Sequence, residues 1–271
     1  YANAWFAQAK TPSEFAAKAK ETVRKGYKGL KWDPFGAAYL TLTKEEFNQA
    51  IDCIGAVKDA VGSEVDILIE GHGRFNVPTA LKLAHAMEQF NILWFEEPLP
   101  PENLEGLAQV KKRTKVPIAA GERLYGRMEY RTFFDLKCAD FAQPDISHCG
   151  GIYETRKIAS MAEVHHLPVC PHNPIGPIAN AATLQLAACT PNFYLLETMS
   201  VDVPYRHELT TEKVKFSNGF IEIGNLPGLG IDINVKAIPQ YPYQPHDLRH
   251  YNGKWTDIRP VDAKESFANQ E

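Results

Sequence analysis

The sequence lacks the features that mark several large classes of protein. It has no basic stripe and no run of like charge, and its formal net charge is only −4, so nothing in it favours binding to nucleic acid. No apolar stretch is long enough to cross a bilayer, and the opening residues, YANAWFAQAK, are unlike a secretory signal. We therefore expect neither a nucleic acid nor a membrane as a partner.

The five cysteines are too scattered along the chain to indicate a disulfide framework. Their number is odd and none has CxxC spacing, so a disulfide scaffold or a zinc site is not expected, and a reducing cytoplasm is the expected location. The chain begins with Tyr rather than Met, and a strand-like run follows almost at once. We expect that an N-terminal portion of the protein precedes this start.

Short apolar runs of the kind that form strands recur through the first 200 residues. Most of their starts are about 25 residues apart, which is the length of a strand–helix–strand unit. The runs are NAWFA (3–7), GLKWD (29–33), DILIEG (66–71), LWFEEP (93–98), PIAAGE (117–122), FAQPD (141–145), PVCPHN (168–173) and YLLET (194–198).

The stretches between these runs have apolar residues at helical spacing. The first is predicted to begin after an N-cap at Thr11 and to end at Gly26. The second opens with a capping box from Thr43 to Glu46 and stops at Gly62. Eight strands alternating with helices predict a (β/α)8-type barrel.

An open, doubly wound sheet is the alternative architecture. It would need a glycine-rich phosphate turn after the first strand, and AWFAQAKTP offers none. The regular alternation ends after YLLET. We therefore divide the chain into a barrel at residues 1–200 and a C-terminal extension at residues 201–271, which is rich in proline and aromatic residues and is expected to pack across the barrel.

A carboxylate terminates three successive strands of the predicted barrel, at Glu70, Glu96 and Glu122. In such barrels the carboxyl ends of the strands face the active site, and neighbouring strands are about 4.8 Å apart, so these side chains should converge. An oxygen-only ligand set without thiolate selects a hard cation such as Mg²⁺. The alternative is that each is an isolated surface residue at the start of a loop.

Two histidines follow strands that end in acidic residues. His172 comes after the buried run LPVC, and Asp145 ends the neighbouring strand, where it could fix the ring tautomer and leave the other nitrogen as a base. His72 lies two residues beyond Glu70, so strand alternation sends both side chains to the same side. The alternatives are a hydrogen-bonded structural histidine at 172 and a loop histidine between glycines at 72.

Several segments together resemble the barrel domain of the enolase superfamily. They are KWDPFG, EGHGRF, WFEEPLPPEN, AAGERLYGR, QPDISHCGGI, CPHNPIGPIANAA and YLLET. The resemblance is greatest to the mandelate racemase subgroup, and within it to acid-sugar dehydratases of the galactonate type. It implies a TIM-like (β/α)7β barrel whose α+β capping domain, made from the N-terminal portion of the chain, is missing here. The C-terminal extension would normally pack against that domain.

The resemblance also implies a role for individual residues. The metal ligands fall on Glu70, Glu96 and Glu122, the first of which is more commonly Asp, and the metal would be Mg²⁺. Asp145 and His172 match the catalytic dyad, His72 matches the additional histidine of dehydratases, and Glu197 matches the acid that hydrogen-bonds the substrate carboxylate. The substrate-binding candidates are Lys31, as a hydrogen-bond donor to the reaction intermediate, and Asp33, Arg74 and Asn173, as polyol contacts or as support for other residues.

The implied function is Mg²⁺-dependent dehydration of a sugar acid, an aldonate or aldarate, to a 2-keto-3-deoxy acid. One alternative is a racemase or epimerase of a 2-hydroxy acid. Racemases of the subgroup usually carry Lys-x-Lys on the second strand, whereas this chain has Lys31-Trp32-Asp33, which places an acid where the second base would stand. A third reading is a metal-binding barrel without catalysis that serves as an assembly subunit. The expected partners are a small sugar-acid substrate and further copies of the chain in a homo-oligomer.

Overall fold

The computed structural model describes residues 1–211, 214–243 and 264–265. Over the first 200 residues, parallel strands of one sheet alternate with helices. The strands are β1 (Ala2–Asn3), β2 (Gly29–Trp32), β3 (Asp66–Glu70), β4 (Trp94–Glu96), β5 (Ile118–Ala120), β6 (Phe141–Ala142) and β7 (Thr198–Met199). The helices are α1 (Pro12–Arg24), α2 (Lys44–Val61), α3 (Val77–Met87), α4 (Leu104–Arg113), α5 (Gly126–Asp135), α6 (Gly151–Val164) and α7 (Pro177–Ala188).

The sheet closes on itself. Its strand order is β6-β5-β4-β3-β2-β1-β7, and each pairing is parallel. Parallel bridges from Ala142 to Val169 and from Val169 to Phe193 complete the ring, because the segment from Phe193 leads into β7, which pairs with β1. The predicted TIM-like (β/α)7β barrel is therefore confirmed, and the open sheet is excluded.

The predicted helix starts are confirmed by their cap geometry. The Thr11 side chain caps α1 and the Thr43 side chain caps α2, each in a reciprocal capping box with the glutamate three residues later. Gly26 and Gly62 follow the two helices with φ of 100° and 76°, a backbone conformation that glycine adopts without a steric penalty.

The observed strands are all shorter than the predicted runs, and three of the runs differ most. The first run was predicted over residues 3–7, but β1 ends at Asn3, and Ala4 turns away with φ of 66°. The run at 168–173 contributes only the bridge at Val169, because the prolines at both sides of Val169–Cys170 have no N–H to donate to a ladder. The run at 194–198 pairs regularly only at its end, in β7.

Apolar side chains fill the middle of the barrel and give way to polar ones at the carboxyl ends of the strands. Leu68, Trp94, Ala119 and Cys170 form a buried cluster inside the ring. Because side chains alternate along a strand, the residues two positions beyond Leu68 and Trp94 face the same interior, and both are glutamates. The strands thus deliver carboxylates to the open end of a packed core.

The described part of the C-terminal extension runs along the outside of the barrel. It contains β8 (Val201–Asp202) and a hairpin of β9 (Phe216–Ser217) with β10 (Phe220–Ile221). Phe216 stacks on Tyr27, just before β2, with 4.5 Å between ring centroids, so the hairpin lies at the amino ends of the strands. Leu229 packs against Ile146 beyond the carboxyl end of β6. Much of the predicted extension, residues 244–263 and 266–271, lies outside the described residues.

All five cysteines lie among the described residues and are free thiols, four of them buried. Within the same part of the chain, no helix has both the length and the apolar character needed to cross a membrane.

Candidate active site

Three glutamates meet at the carboxyl ends of β3, β4 and β5. Glu70 and Glu96 are the last residues of β3 and β4 and are partners across these strands, and Glu122 follows β5. One carboxylate oxygen from each lies within 4.8 Å of the others, and all three residues are buried. Oxygens on opposite sides of a six-coordinate Mg²⁺ are about 4.2 Å apart. The structure thus brings the residues singled out at the strand ends into one group that could hold a metal ion.

Lys31, on β2, lies among these carboxylates. Its Nζ is 2.5 Å from Glu96 Oε1 and 2.8 Å from Glu197 Oε1, and a third carboxylate, that of Glu70, is 3.5 Å away. The other oxygen of Glu96 accepts a hydrogen bond of 2.9 Å from Trp94 Nε1. Burial disfavours the ammonium, but Glu197 and Glu96 outweigh it and hold the pKa of Lys31 well above its usual value. Lys31 is therefore a fixed cation inside the barrel.

The donor set fits a hard divalent cation. Burial, together with the nearby Glu122, raises the pKa of Glu70 to about 7, although Lys31 opposes the shift. Burial and Glu70 raise the pKa of Glu96 well above its usual value. Carboxylates that resist ionisation because they lie together out of water are stabilised as anions by a bound cation, and oxygen ligands without thiolate select one such as Mg²⁺. Glu70, Glu96 and Glu122 are the residues that would hold it.

We predict opposite effects of Glu70→Gln on stability and on metal binding. Glu70 has a raised pKa in the folded chain, so the folded state binds more protons than the unfolded state between pH 4.5 and about 7, and stability falls as pH rises across this window. In EDTA at pH 8, the uncharged Gln should therefore raise the free energy of unfolding by about 1–3 kcal/mol.

The measurement is thermal unfolding at pH 5 and pH 8, with EDTA or with Mg²⁺. Mg²⁺ should stabilise the wild-type protein by mass action and should stabilise the variant much less. An unchanged response to Mg²⁺ in the variant would remove Glu70 from the ligand set.

His172 lies between Asp145 and Glu122. Its Nδ1 is 2.7 Å from Asp145 Oδ2, and its Nε2 is 3.3 Å from Glu122 Oε2. Asp145 is held in turn by the backbone N–H of Ser147, at 2.7 Å from Oδ1. Burial lowers the pKa of His172, but Glu122 and the hydrogen bond to Asp145 outweigh it and raise the pKa. A cation bound at Glu122 would offset the carboxylate charge, so the ring would ionise closer to neutral pH.

His72 forms a second histidine–aspartate pair, with Asp33. Nδ1 of His72 is 2.6 Å from Asp33 Oδ2, and Arg74 Nη2 donates to both oxygens of Asp33 at 2.7 Å. The backbone N–H of Phe35 also donates to Asp33, at 2.9 Å. Both Asp33 oxygens are thus used within the protein. Of the two roles considered for Asp33 and Arg74, this favours support of His72 over direct contact with a polyol.

Glu197 is fixed from three directions. Beside its contact with Lys31, Oε1 accepts a hydrogen bond of 2.8 Å from Asn3 Nδ2, and Oε2 accepts one of 2.9 Å from the backbone N–H of Asn173. The Asn173 amide donates to the carbonyl of Glu197 and to Oδ1 of Asn180. Asn173 therefore holds the last strand beside the site, and its Oδ1 has no partner among the described residues.

The backbone conformation of Gly121 directs the Glu122 side chain into the barrel. Ala119 faces the interior, so regular alternation would place residue 121 there, but Gly121 adopts φ of 126° and shifts the phase by one residue. Tyr130 donates a hydrogen bond of 2.7 Å to the Gly121 carbonyl, and a Cβ at Gly121 would lie 2.7 Å from the Tyr130 hydroxyl oxygen. Only glycine has the space and the backbone freedom that this position requires.

Sequence reasoning missed several residues of the site. Trp94 could have been found, because it lies two positions before Glu96 on the same strand and so faces the same interior. Asn3 gave no periodic signal, and Arg123 could be placed at the end of the fifth strand but not given a role. Gln143 is fully buried next to the dyad aspartate, two residues before Asp145, and its amide has no partner among the described residues.

Comparison with known proteins identifies the family. Residues 14–237 match the family described as enolase C-terminal domain-like. The chain belongs to this family. It is 37% identical to a D-gluconate dehydratase of Thermoproteus tenax over 249 residues, which are 92% of this chain and 50% of the relative. It is 32% identical to a D-gluconate/D-galactonate dehydratase of Picrophilus torridus over 90% of this chain and 62% of that relative.

Solved structures of the enolase superfamily have the same fold. A mandelate racemase/muconate lactonizing enzyme from Jannaschia sp. CCS1 superposes with a TM-score of 0.82 at 33% identity, over 90% of this chain and 62% of that one. A member of the enolase superfamily from Salmonella Typhimurium gives 0.81 at 31% identity, over 86% of this chain and 62% of that one. The resemblance found in the motifs is confirmed, and the chain spans about half to two thirds of the proteins it matches.

Proposed function

We propose that the protein dehydrates a sugar acid, an aldonate or aldarate, to a 2-keto-3-deoxy acid in a reaction that depends on Mg²⁺. The observation that carries the proposal is the placement of two histidine–aspartate pairs, His172–Asp145 and His72–Asp33, beside one cluster of three buried carboxylates. Dehydration requires a base for the α-proton and an acid for the leaving hydroxyl. Relatives named as D-gluconate, D-galactonate and D-xylonate dehydratases support this class of substrate.

The main barrier is the low acidity of the hydrogen next to a carboxylate. Glu70, Glu96 and Glu122 would hold a Mg²⁺ ion, which would supply positive charge to stabilise the negative charge that develops as the proton leaves. Lys31 lies 2.8 Å from Glu197 and adds positive charge inside the barrel.

His172 is the base in this proposal. Asp145 accepts the hydrogen bond from Nδ1–H, which leaves the lone pair of Nε2 directed at the carboxylate cluster. Nε2 removes the proton α to the carboxylate, and the electron pair of that C–H bond is delocalised into the carboxylate as an enediolate. In the second step this pair forms the double bond to the β-carbon as the C–O bond there breaks.

His72 is the general acid that protonates the departing β-hydroxyl, which leaves as water. Asp33, which accepts hydrogen bonds from Arg74, orients the imidazole ring of His72. The enol product then takes a proton at carbon 3 and becomes the ketone.

We predict that His72→Asn separates the two steps. His72 has φ of 51°, a backbone conformation that Asn tolerates, so the variant should fold. Without the acid, formation of keto acid should fall by about 10²–10⁴-fold. In deuterium oxide, the exchange of the α-hydrogen should continue, because His172 remains.

The experiment screens D-gluconate, D-galactonate and D-xylonate with the natural full-length protein and Mg²⁺, and follows keto acid chemically and deuterium by NMR. His166→Asn is the matched control, because His166 is exposed and has a similar φ of 58°. Equal loss of exchange and elimination in His72→Asn would contradict the separate roles.

The same experiment tests the alternative of a racemase or epimerase. Two-base racemisation needs a second base, whereas Asp33, at the place of the second lysine of racemases, is already engaged by His72 and Arg74. Deuterium in recovered substrate of both configurations, without keto acid, would favour racemisation. A protein that neither exchanges nor eliminates with any acid sugar, yet binds Mg²⁺, would favour a non-catalytic barrel. A cytoplasmic location and a homo-oligomer remain predictions.

A further inference from the structure

Arg123 joins the loops that follow three adjacent strands. Its Nε lies 3.3 Å from Glu122 Oε1 and 3.4 Å from Glu97 Oε2, and its Nη1 donates a hydrogen bond of 3.0 Å to the backbone carbonyl of His72. One guanidinium therefore contacts the metal-ligand candidate after β5, the buried carboxylate after β4 and the backbone of the acid candidate after β3.

The backbone around this guanidinium has an uncommon conformation. His72 and Glu97 have φ of 51° and 34°, in the left-handed region that residues other than glycine seldom adopt. A backbone hydrogen bond also joins two of these loops, since the N–H of Gly73 donates to the Glu97 carbonyl at 2.7 Å. Such conformations persist only where the surrounding contacts enforce them.

Gly73 leaves the space that Arg123 occupies. It follows His72 with φ of 64°, and a Cβ at this position would overlap Nη1 of Arg123. The second glycine of EGHGRF is thus required by two independent features, the left-handed backbone and the close approach of a guanidinium.

We propose that Arg123 is a positioning residue that couples the metal ligand Glu122 to the general acid His72, with Glu97 as its anchor. This inference rests on the proposed function for the roles of Glu122 and His72, but the contacts themselves do not depend on it. Glu97 is also held by the N–H of Gly121, at 3.2 Å from Oε1, so the anchor is fixed independently of Arg123.

The planar guanidinium of Arg123 is suited to contacting three loops at once. It presents several N–H donors on separate nitrogens of a fixed planar fork, whereas a lysine ammonium carries all its donors on one nitrogen. Loss of Arg123 should remove one cationic neighbour of Glu122 and the hydrogen bond from Nη1 to the His72 carbonyl. Metal affinity should then fall, and the general acid His72 should be displaced.

The experiment compares Arg123→Ala, Arg123→Lys and Arg127→Met in the natural full-length protein. Arg127 is the matched control, because it pairs with Glu154 at 2.6 Å on the surface of α5 and α6. Mn²⁺ affinity is measured by electron paramagnetic resonance, and unfolding temperature confirms the fold. We expect Mn²⁺ to bind about 10–100-fold more weakly to both Arg123 variants, with no change in Arg127→Met. Added guanidinium ion should restore part of the affinity of Arg123→Ala.

A double-mutant cycle tests whether a Cβ at Gly73 acts through Arg123. If a Cβ at 73 acts in part by displacing Arg123, the loss of Mn²⁺ affinity in Gly73→Ala combined with Arg123→Ala should be smaller than the sum of the two single losses. Turnover supplies the second readout. In the Arg123 variants, keto-acid formation should fall more than deuterium exchange, because the general acid His72 is displaced along with the metal ligand Glu122.

The outcomes separate this inference from the proposed function. If the wild-type protein forms no keto acid but Arg123→Ala binds Mn²⁺ weakly, the proposed function fails and the coupling to the metal stands. If Mn²⁺ affinity stays within about twofold of wild type in a folded Arg123→Ala protein, the inference is overturned. It is also overturned if Arg127→Met weakens binding equally, or if the double variant shows fully additive losses.

Discussion

Replacing His172 with Asn should lower keto-acid formation by about 10²–10⁴-fold and should also abolish exchange of the α-hydrogen with solvent deuterium. The reason is that Nε2 of His172 faces the carboxylate cluster while Nδ1 is held 2.7 Å from Asp145, and no amide can replace the ring as a base at this place. Loss of both reactions distinguishes this variant from His72→Asn, which should lose elimination and keep exchange.

The control for His172→Asn is His85→Asn. His85 also pairs with a carboxylate, Glu88 at 3.0 Å, but it lies on the surface of α3. It should keep full activity. Mn²⁺ affinity of His172→Asn should stay near that of wild type, since the imidazole is not among the three candidate ligands. Substantial turnover by a folded His172→Asn protein would remove the proposed mechanism.

The second large effect is expected for Glu96→Gln. Glu96 is fully buried at the centre of the cluster, and the amide keeps an oxygen for Trp94 while losing the charge that a divalent cation requires. Because a bound metal contributes several kcal/mol of charge stabilisation, we expect turnover to fall by about 10³-fold or more.

Calorimetric titration with Mg²⁺ checks the cause, since the variant should bind the ion far more weakly than wild type does. Glu102→Gln is the matched control: Glu102 is exposed in the loop that follows the same strand. It should leave both affinity and turnover unchanged. Tight Mg²⁺ binding by Glu96→Gln would mean that the ion is held elsewhere.

The fold could be predicted because local signals and chain periodicity agree. Capping boxes at Thr11 and Thr43, glycines after the helices and apolar runs at regular intervals each depend on residues close together in sequence. Boundaries were less predictable. Asn3 ends the first strand early, and the prolines around Val169 reduce the seventh run to a single bridge, because ladder pairing depends on neighbours that the local sequence does not specify.

The convergence of the three glutamates was predictable for a topological reason. In a parallel barrel every strand ends at the same face, so a carboxylate at the end of each of three successive strands must approach the others. The partners of those residues were not predictable. Asp33 was considered for polyol contact, but it lies between His72 and Arg74, residues about 40 positions away in sequence.

The sequence by itself determined the order of strands and helices, the helix ends and the face on which the three glutamates lie, since these follow from alternation, spacing and capping along the chain. Only the tertiary structure decided that Lys31 sits inside the carboxylate cluster, that Gly121 turns Glu122 inward and that Arg123 reaches His72. These contacts join separate strands and loops, and their geometry depends on barrel closure and on bulges of one residue, which leave no periodic signal.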